Sequence, residues 1–398
     1  MLDPMPNKLL TDALDLISTK TLEDDLRLGT SFPYITDPDG GWLAMPASVS
    51  AGYSSSGWTH GNWFCGFWVG LLLVGYLHTN EQRFLDLAIE RMRLVAPRAT
   101  DPNTHDIGFI FWSSAVPAHR ICGEKWIADL ALVAADHLRR RLVPTHRGAY
   151  IAAWGPLDDP RARSSSAIDT MANIPLLCWA AEQAKDGSFL YAAEAHAVMT
   201  RGSFVRDDYS TFHAVEYELP CGARRRGFTF QGWSDNSTWS RGQAWAIYGY
   251  VAIARATGVH AYLMLAERLA DRYLQRMGND LVPWWDFDDP AIPSTPRDSS
   301  AAAIVSSALL DLAALHPDPA ASGFWLGRAH AMLECLCRDY LARGEKHRGI
   351  LKHGCYSKPH NEGIDSAVLF GDFYFAEALC KSVFPGRLRD VPVQMVVT

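Results

Sequence analysis

Apolar residues recur at spacings of three and four along most of the chain, and the helices this predicts are of two alternating kinds. Segments beginning near residues 62, 106, 169, 241, 298 and 365 are rich in Gly, Ala, Ser and aromatic residues, and they lack a charged face. Their partners, such as ERMRLVAPR at 90–98 and AERLADRYLQR at 266–276, carry one. A helix without a polar face is buried all round, whereas a helix with one borders solvent. Six buried helices alternating with six amphipathic ones therefore predict two concentric rings, an all-α (α/α)6 toroid. Approximate spans are 7–27, 62–78, 82–96, 111–122, 124–140, 173–185, 188–203, 240–257, 260–277, 298–314, 322–342 and 365–383. Short turns such as HTNEQ, KDGS and ATGVH join several of them as αα-hairpins. No stretch reads as a linker between two cores, so one domain is expected over 1–398, with a short lead-in before about residue 7.

Composition narrows the function. The net charge of −7 is spread out, and the dense basic runs are confined to 139–141 and 224–226, which argues against a nucleic-acid partner. The apolar run 63–77 is short and broken by glycine, and the N-terminus lacks the basic, apolar and small-residue order of a secretory signal. A soluble, cytoplasmic protein without membrane contact is expected, as a monomer or weak homo-oligomer. Eight scattered cysteines without a paired CxxC read as reduced, buried small hydrophobes. His353 and His360 flank Cys355 without the ligand spacing of zinc, so neither a metal nor a cofactor is expected.

Each buried helix opens on a polar cluster: GNW, HDIGF, IDT, RGQAW, RDSSAA and IDSAV. If these openings converge, one mouth of the toroid receives His105, Asp106, Asp169, Arg241, Gln243, Trp245 and Asp298, beneath a long aromatic loop over 204–239. Loops of that length usually carry function. Trp42, Trp58, Trp154, Trp233, Trp239 and Trp245 fall near the same mouth. Aromatic faces cover the C–H faces of sugars while acids, amides and His bond hydroxyls, so carbohydrate is the natural ligand. Asp298 suits an N-cap for the SSAAAI helix. Asn173 is expected to cap the helix that follows it, with Pro175 in the first turn. Asp169 then precedes that helix, either as a turn residue or as a carboxylate held at the cavity.

The motifs HDIGFIFWSSAVP (105–117), IDTMANIPLL (168–177), FTFQGWSDNSTWSRGQAWAIYG (228–249), WDF (285–287), RDSSAAAI (297–304) and GDFYFAEAL (371–379) are more specific. In this order and spacing, over about residues 40–383, the chain resembles glycoside hydrolase family 88, the unsaturated glucuronyl hydrolases. The resemblance implies removal of a nonreducing-end Δ4,5-unsaturated glucuronic acid from lyase-generated oligosaccharides. It also implies an unusual route, in which a vinyl ether is hydrated: C4 is protonated, water adds at C5, and the hemiketal opens. Asp169 would be the general acid and base, and Asp106 would position substrate and water. His213, Gln231 and Arg241 match sugar- and carboxylate-binding positions, with Trp245 and Trp42 as stacking faces and Trp154 as a further wall. Ser357 and Lys358 match in part a cluster that holds a sulfate on the second sugar.

A general acid needs a raised pKa, which burial and the neighbouring Asp106 charge are expected to give Asp169, the two carboxylates titrating as a pair. His105 reads as a supporting neighbour. An arginine fork at Arg241 suits a planar carboxylate. The competing readings are a hydrolase of unsaturated galacturonyl-rhamnose, a sugar epimerase and a nonenzymatic carbohydrate-binding protein. The epimerase is disfavoured by the scarcity of His in the inner openings.

Overall fold

The computed structural model describes residues 8–48, 61–344 and 346–388. The expected lead-in before residue 7 and Trp58 lie outside them. Six helices form an inner ring: α2 (Cys65–Thr79), α4 (Ile107–Ser113), α8 (Pro175–Ala184), α10 (Ser240–Thr257), α12 (Ser299–Leu315) and α14 (Leu369–Val383). Each packs on the next, and α14 returns to α2, which closes the ring. Six more lie outside it: α1 (Lys8–Leu28), α3 (Gln82–Val95), α6 (Lys125–Arg139), α9 (Gly187–Ser203), α11 (His260–Met277) and α13 (Pro319–Cys335). Several of these bridge successive inner helices, as α6 does between α4 and α8. The short α5 (Ala115–Cys122) and α7 (Pro160–Arg163) complete the helices among the described residues.

The inner helices are buried as their composition predicts. In α10 and α12 nearly every side chain up to the last turn is inside, and fully burying a Leu, Ile or Phe contributes about 1.5–3 kcal/mol. Glycine sets how closely α2 can be approached. A Cβ at Gly66 would stand 2.1 Å from the Ile110 carbonyl oxygen, and one at Gly70 would stand 2.3 Å from the Phe373 ring. One hydrophobic cluster runs through both rings.

Two helix boundaries differ from expectation for identifiable reasons. The helix expected over 111–122 is broken at Ser114 into α4 and α5, because the Pro117 ring would meet the carbonyl four residues back in a continuous helix. The last inner helix begins at Leu369 rather than 365, since the preceding stretch is a hairpin, β8 (Gly354–Ser357) with β9 (Glu362–Ser366). That hairpin belongs to a set of small sheets that the all-helical expectation omitted. The others are β1 (Phe32–Thr36) with β2 (Trp42–Met45), β3 (Leu142–Thr145) with β4 (Gly148–Ile151), and a three-stranded sheet. The last consists of β5 (Ser165–Ala167), β6 (Ala214–Glu218) and β7 (Ala223–Phe228), all antiparallel. Strands of three to six residues are too short to show a period of two.

The starts of the inner helices meet at one end of the ring. Trp63, just before α2, stacks on Phe370 of α14 at 5.3 Å and lies 5.4 Å from Phe109 of α4. The Arg241 guanidinium of α10 lies 5.0 Å from the Phe370 ring, and its Nη1 contacts Asp298 at 2.5 Å.

Candidate active site

Asp169 is placed by a sheet, not by a helix cap. β5 pairs with β6, and the backbone N–H of Ile168 donates to the His213 carbonyl at 2.9 Å, so Asp169 and His213 leave adjacent strand ends together. Asp169 then enters a 3₁₀ turn, Ile168–Ala172, ahead of α8. Asn173 does not cap α8, whose first residue is Pro175 and whose N-cap position is Ile174. Its amide instead ties two elements together: Nδ2 donates to the Asp169 carbonyl at 3.0 Å, and Oδ1 accepts from the Phe109 N–H at 2.5 Å. A Cβ at Gly108 would stand 2.5 Å from the Asn173 Cβ, so glycine is required for this approach of α4.

His105 lies at the centre of the site. Its backbone N–H and Nδ1 both donate to the Ala153 carbonyl, at 2.9 and 2.8 Å, which turns Nε2 inward. Nε2 stands 3.4 Å from Oδ1 of Asp106 and 3.3 Å from Oδ1 of Asp169. The other Asp106 oxygen accepts from Thr104 Oγ1 at 2.8 Å. His105 is fully buried, Asp106 nearly so, and the Asp169 side chain keeps 17% of its surface open.

This geometry reverses one expectation. Burial alone would lower the His105 pKa, but Asp106 and Asp169 outweigh it and raise it to about 9. That shift favours the charged form of His105 between the two carboxylates. Burial pushes Asp169 up, yet the charge and hydrogen-bonding influence of His105 bring it below the usual carboxylate value. The raised Asp169 expected from its neighbour Asp106 is thus not found. Sequence reasoning gave His105 only a supporting place; the HD dipeptide was its signal.

His213 donates to or accepts from Thr229 Oγ1 at 2.9 Å through Nδ1, while its buried Nε2 has no protein partner. Burial lowers it to about 3, so it is neutral. Its ring packs between Phe230 (4.1 Å) and Trp239 (4.4 Å). Phe230 in turn lies 5.0 Å from Trp154, which is 5.8 Å from the His105 ring. Asp106, Asp169, His213 and Trp154 are thus brought together. Gln231 is next to Phe230 and donates to the Tyr356 carbonyl at 3.2 Å.

Other expected ligands are engaged elsewhere. Arg241 is 1% exposed, and its fork is spent on Asp298 and on the carbonyls of Cys355 (2.6 Å) and Tyr356 (2.5 Å), so it is not arranged as a free bidentate clamp. Asp298 caps α12 as expected, accepting from the Ser300 N–H at 3.1 Å. Trp245 is also 1% exposed and forms the floor against Phe109, Tyr374 and Phe370 rather than a stacking face. Gln243 is buried on the carbonyls of Tyr209 and Leu269. Trp42 borders a groove with Asp24, Arg27 and Arg348 that contains none of the residues around Asp169. Ser357 is buried and bonded to His360 at 2.7 Å, and Lys358 is paired with Asp289 at 2.7 Å and Thr295 at 2.9 Å. Trp233 is half exposed on the turn after Gln231.

His353 pairs with Asp365 and His360 with Ser357, so the residues around Cys355 form no ligand set. Among the described residues, His105, Asp106 and Asp169 are the group whose ligand-type atoms fall within 4.8 Å of one another. Among the described residues, no helix is long and apolar enough to cross a membrane.

A closed ring of helical hairpins with paired carboxylates and aromatic walls at one mouth is the frame of a carbohydrate-cleaving enzyme. No family model matches the chain. It is 34% identical over 361 residues to the unsaturated glucuronyl hydrolase of Bacillus sp. strain GL1, covering 89% of this chain and 92% of that one. It is 31% identical over 333 residues to the unsaturated chondroitin disaccharide hydrolase of Streptococcus agalactiae serotype III, covering 81% of each. A solved structure of an unsaturated glucuronyl hydrolase variant with dGlcA-Glc-Rha-Glc matches with a TM-score of 0.82 and 33% identity, over 94% of this chain and 95% of that one. The chain belongs to the unsaturated glucuronyl hydrolases, glycoside hydrolase family 88.

Proposed function

We propose that this protein removes the nonreducing-end Δ4,5-unsaturated glucuronic acid from lyase-generated oligosaccharides, from glycosaminoglycans or bacterial polysaccharides, by hydrating the C4=C5 vinyl ether. The observation that carries this reading is Asp169 beside His105 and Asp106 at the toroid mouth, in a chain of this family. Asp169 is the general acid that protonates C4 and the base that receives the proton of the water adding at C5. Asp106, fixed by Thr104, orients substrate and water. The unpartnered Nε2 of His213 faces the substrate hydroxyls, Trp154 and Phe230 cover a sugar face, and Gln231 borders the uronate. Arg241 acts from beneath, holding the β8–β9 hairpin and adding positive potential under a uronate carboxylate. We assign the whole chain to one catalytic domain that works in the cytoplasm, as a monomer or weak homo-oligomer, on imported oligosaccharides.

Incubation with lyase-generated unsaturated disaccharides tests this. The ultraviolet absorbance of the conjugated double bond should disappear, and reaction in D₂O should place deuterium at C4 of the released sugar. Sugar release with the double bond intact, or without deuterium at C4, would mean ordinary glycoside hydrolysis.

A further inference from the structure

We infer that His105 is a positioning residue that stores the proton Asp169 delivers to the substrate. This rests on the functional reading above and adds to it the tautomer that the Ala153 carbonyl fixes. Nδ1 is committed to the Ala153 carbonyl, so His105 reaches the carboxylates through Nε2 alone. Two carboxylate oxygens at 3.3 and 3.4 Å from a bare nitrogen lone pair would repel it; a proton there turns the repulsion into attraction, while Nε2 and the facing Asp169 Oδ1 form no hydrogen bond with any other protein group. The remaining groups facing the cluster do not compete for that proton. His196 on α9 is buried, accepts the Ile151 N–H through Nδ1 and is lowered to about 3 by burial and by the charge of His105. His213 is neutral, and Arg141, which lies near Asp106, is anchored to the Ala152 and Gly155 carbonyls.

The resting state therefore holds one proton on Nε2 and two carboxylates. Moving that proton to Oδ1 of Asp169 gives neutral His105 and the carboxylic acid that the reaction needs, with no proton drawn from solvent. Asp169 then breaks its O–H bond as C4–H forms. Water adds its oxygen to C5 and gives a proton to the Asp169 carboxylate, and that proton returns to Nε2. One water is consumed, and no other reactant is required.

His105→Gln separates proton storage from packing, because a glutamine N–H can donate to both carboxylates but releases no proton. The variant should fold and should bind unsaturated disaccharide normally when combined with Asp169→Asn. Its kcat should fall on the order of 10²–10⁴-fold, and the alkaline limb of its kcat/KM profile should move at least about one pH unit toward acid, since Asp169 must then hold its own proton. An alkaline limb at the wild-type position overturns the inference. A second measurement needs no variant. In ¹⁵N-histidine spectra of the wild-type protein at pH 8, where an ordinary imidazole is neutral, one ring should remain protonated on both nitrogens. If all rings are neutral, the proton is not stored there. Loss of wild-type turnover on chelation would place a metal where we place the proton, and would overturn the inference equally. The spectrum reports the proton without reference to substrate, so failure of the functional reading, seen as wild-type inactivity on every unsaturated disaccharide, is distinguishable from failure of this one.

Discussion

Lys358→Met tests what the segment at 352–366 contributes. Its sequence suggested a sulfate-reading Ser–Lys pair, but Lys358 Nζ is 2.7 Å from Oδ2 of Asp289 and 2.9 Å from Thr295 Oγ1, and it lies over the Trp285 ring. The Asp289 side chain is 1% exposed and that of Lys358 is 29% exposed. Removing one partner of a fully buried pair costs about 3–5 kcal/mol. Part of the lysine is already in water, and Asp289 keeps its bonds from Thr295, Trp285 and Ala291, so about 2–3 kcal/mol is expected here. At about 2.1 cal/mol/K of unfolding entropy per residue, that lowers Tm by roughly 3 °C in a chain of this size. Thermal unfolding and parallel kinetics on sulfated and unsulfated disaccharides provide the assay. We expect the fall in Tm, equal losses of kcat/KM on both substrates, and recovery of much of the stability in Lys358→Met with Asp289→Asn. An unchanged Tm with loss confined to the sulfated substrate would refute the reasoning and make Lys358 a sulfate ligand.

Asp169→Asn should lower kcat on the order of 10²–10⁴-fold while substrate still binds by calorimetry; a kcat near wild type would remove Asp169 as the acid. Arg241→Lys should destabilise the fold by about 2–3 kcal/mol, because one ammonium cannot serve Asp298 and two carbonyls together, and urea unfolding measures this; unchanged stability with weakened substrate binding would return Arg241 to the carboxylate site. Asn173→Ala should leave the buried Phe109 N–H unpaired at a cost of about 1–3 kcal/mol and should lower kcat as the Asp169 turn loosens, seen by unfolding and kinetics together. The His105 pKa is raised from its ordinary value to about 9, so its stabilisation is complete below about pH 6.5 and is lost as pH rises through 9. The shift corresponds to about 3 kcal/mol; equal urea midpoints at pH 6 and pH 9.5 in wild type would contradict it.

The ring of helices was legible because each helix carries its burial on its own residues. α2 and α12 have no charged face, and their partners do, so alternation alone predicts two layers. The approach of Asp169, Asp106 and His213 was legible through motifs, which preserve local chemistry. Pairing between distant residues was not. Arg241 and Lys358 look like free cations in sequence, and each is occupied by an aspartate 57 or 69 residues away. Whether a charge faces a cavity or a neighbour is decided only when the chain closes. The His105 tautomer was hidden for the same reason, since it is set by the carbonyl of Ala153, 48 residues on.

The toroid that suits an acidic substrate also works against its own acid. Asp106 and Asp298 stand at the N-cap positions of α4 and α12, Asp169 just ahead of α8, and Arg241 at the start of α10. Helix N-termini carry a partial positive charge of roughly half a unit each, and several directed at one mouth attract a uronate carboxylate. The same field favours Asp169 as a carboxylate, and the charge of His105 is the main influence that brings it below the ordinary value. An isolated Asp in this field would be ionised whenever an anionic sugar bound, and a vinyl ether needs a proton, not a carboxylate. Raising Asp169 by a bare neighbouring charge would have required weakening the field that recruits substrate. A histidine set between the two carboxylates avoids that conflict: the proton stays in the site on nitrogen, the field remains positive, and a transfer over 3.3 Å converts the resting cluster to its acid form.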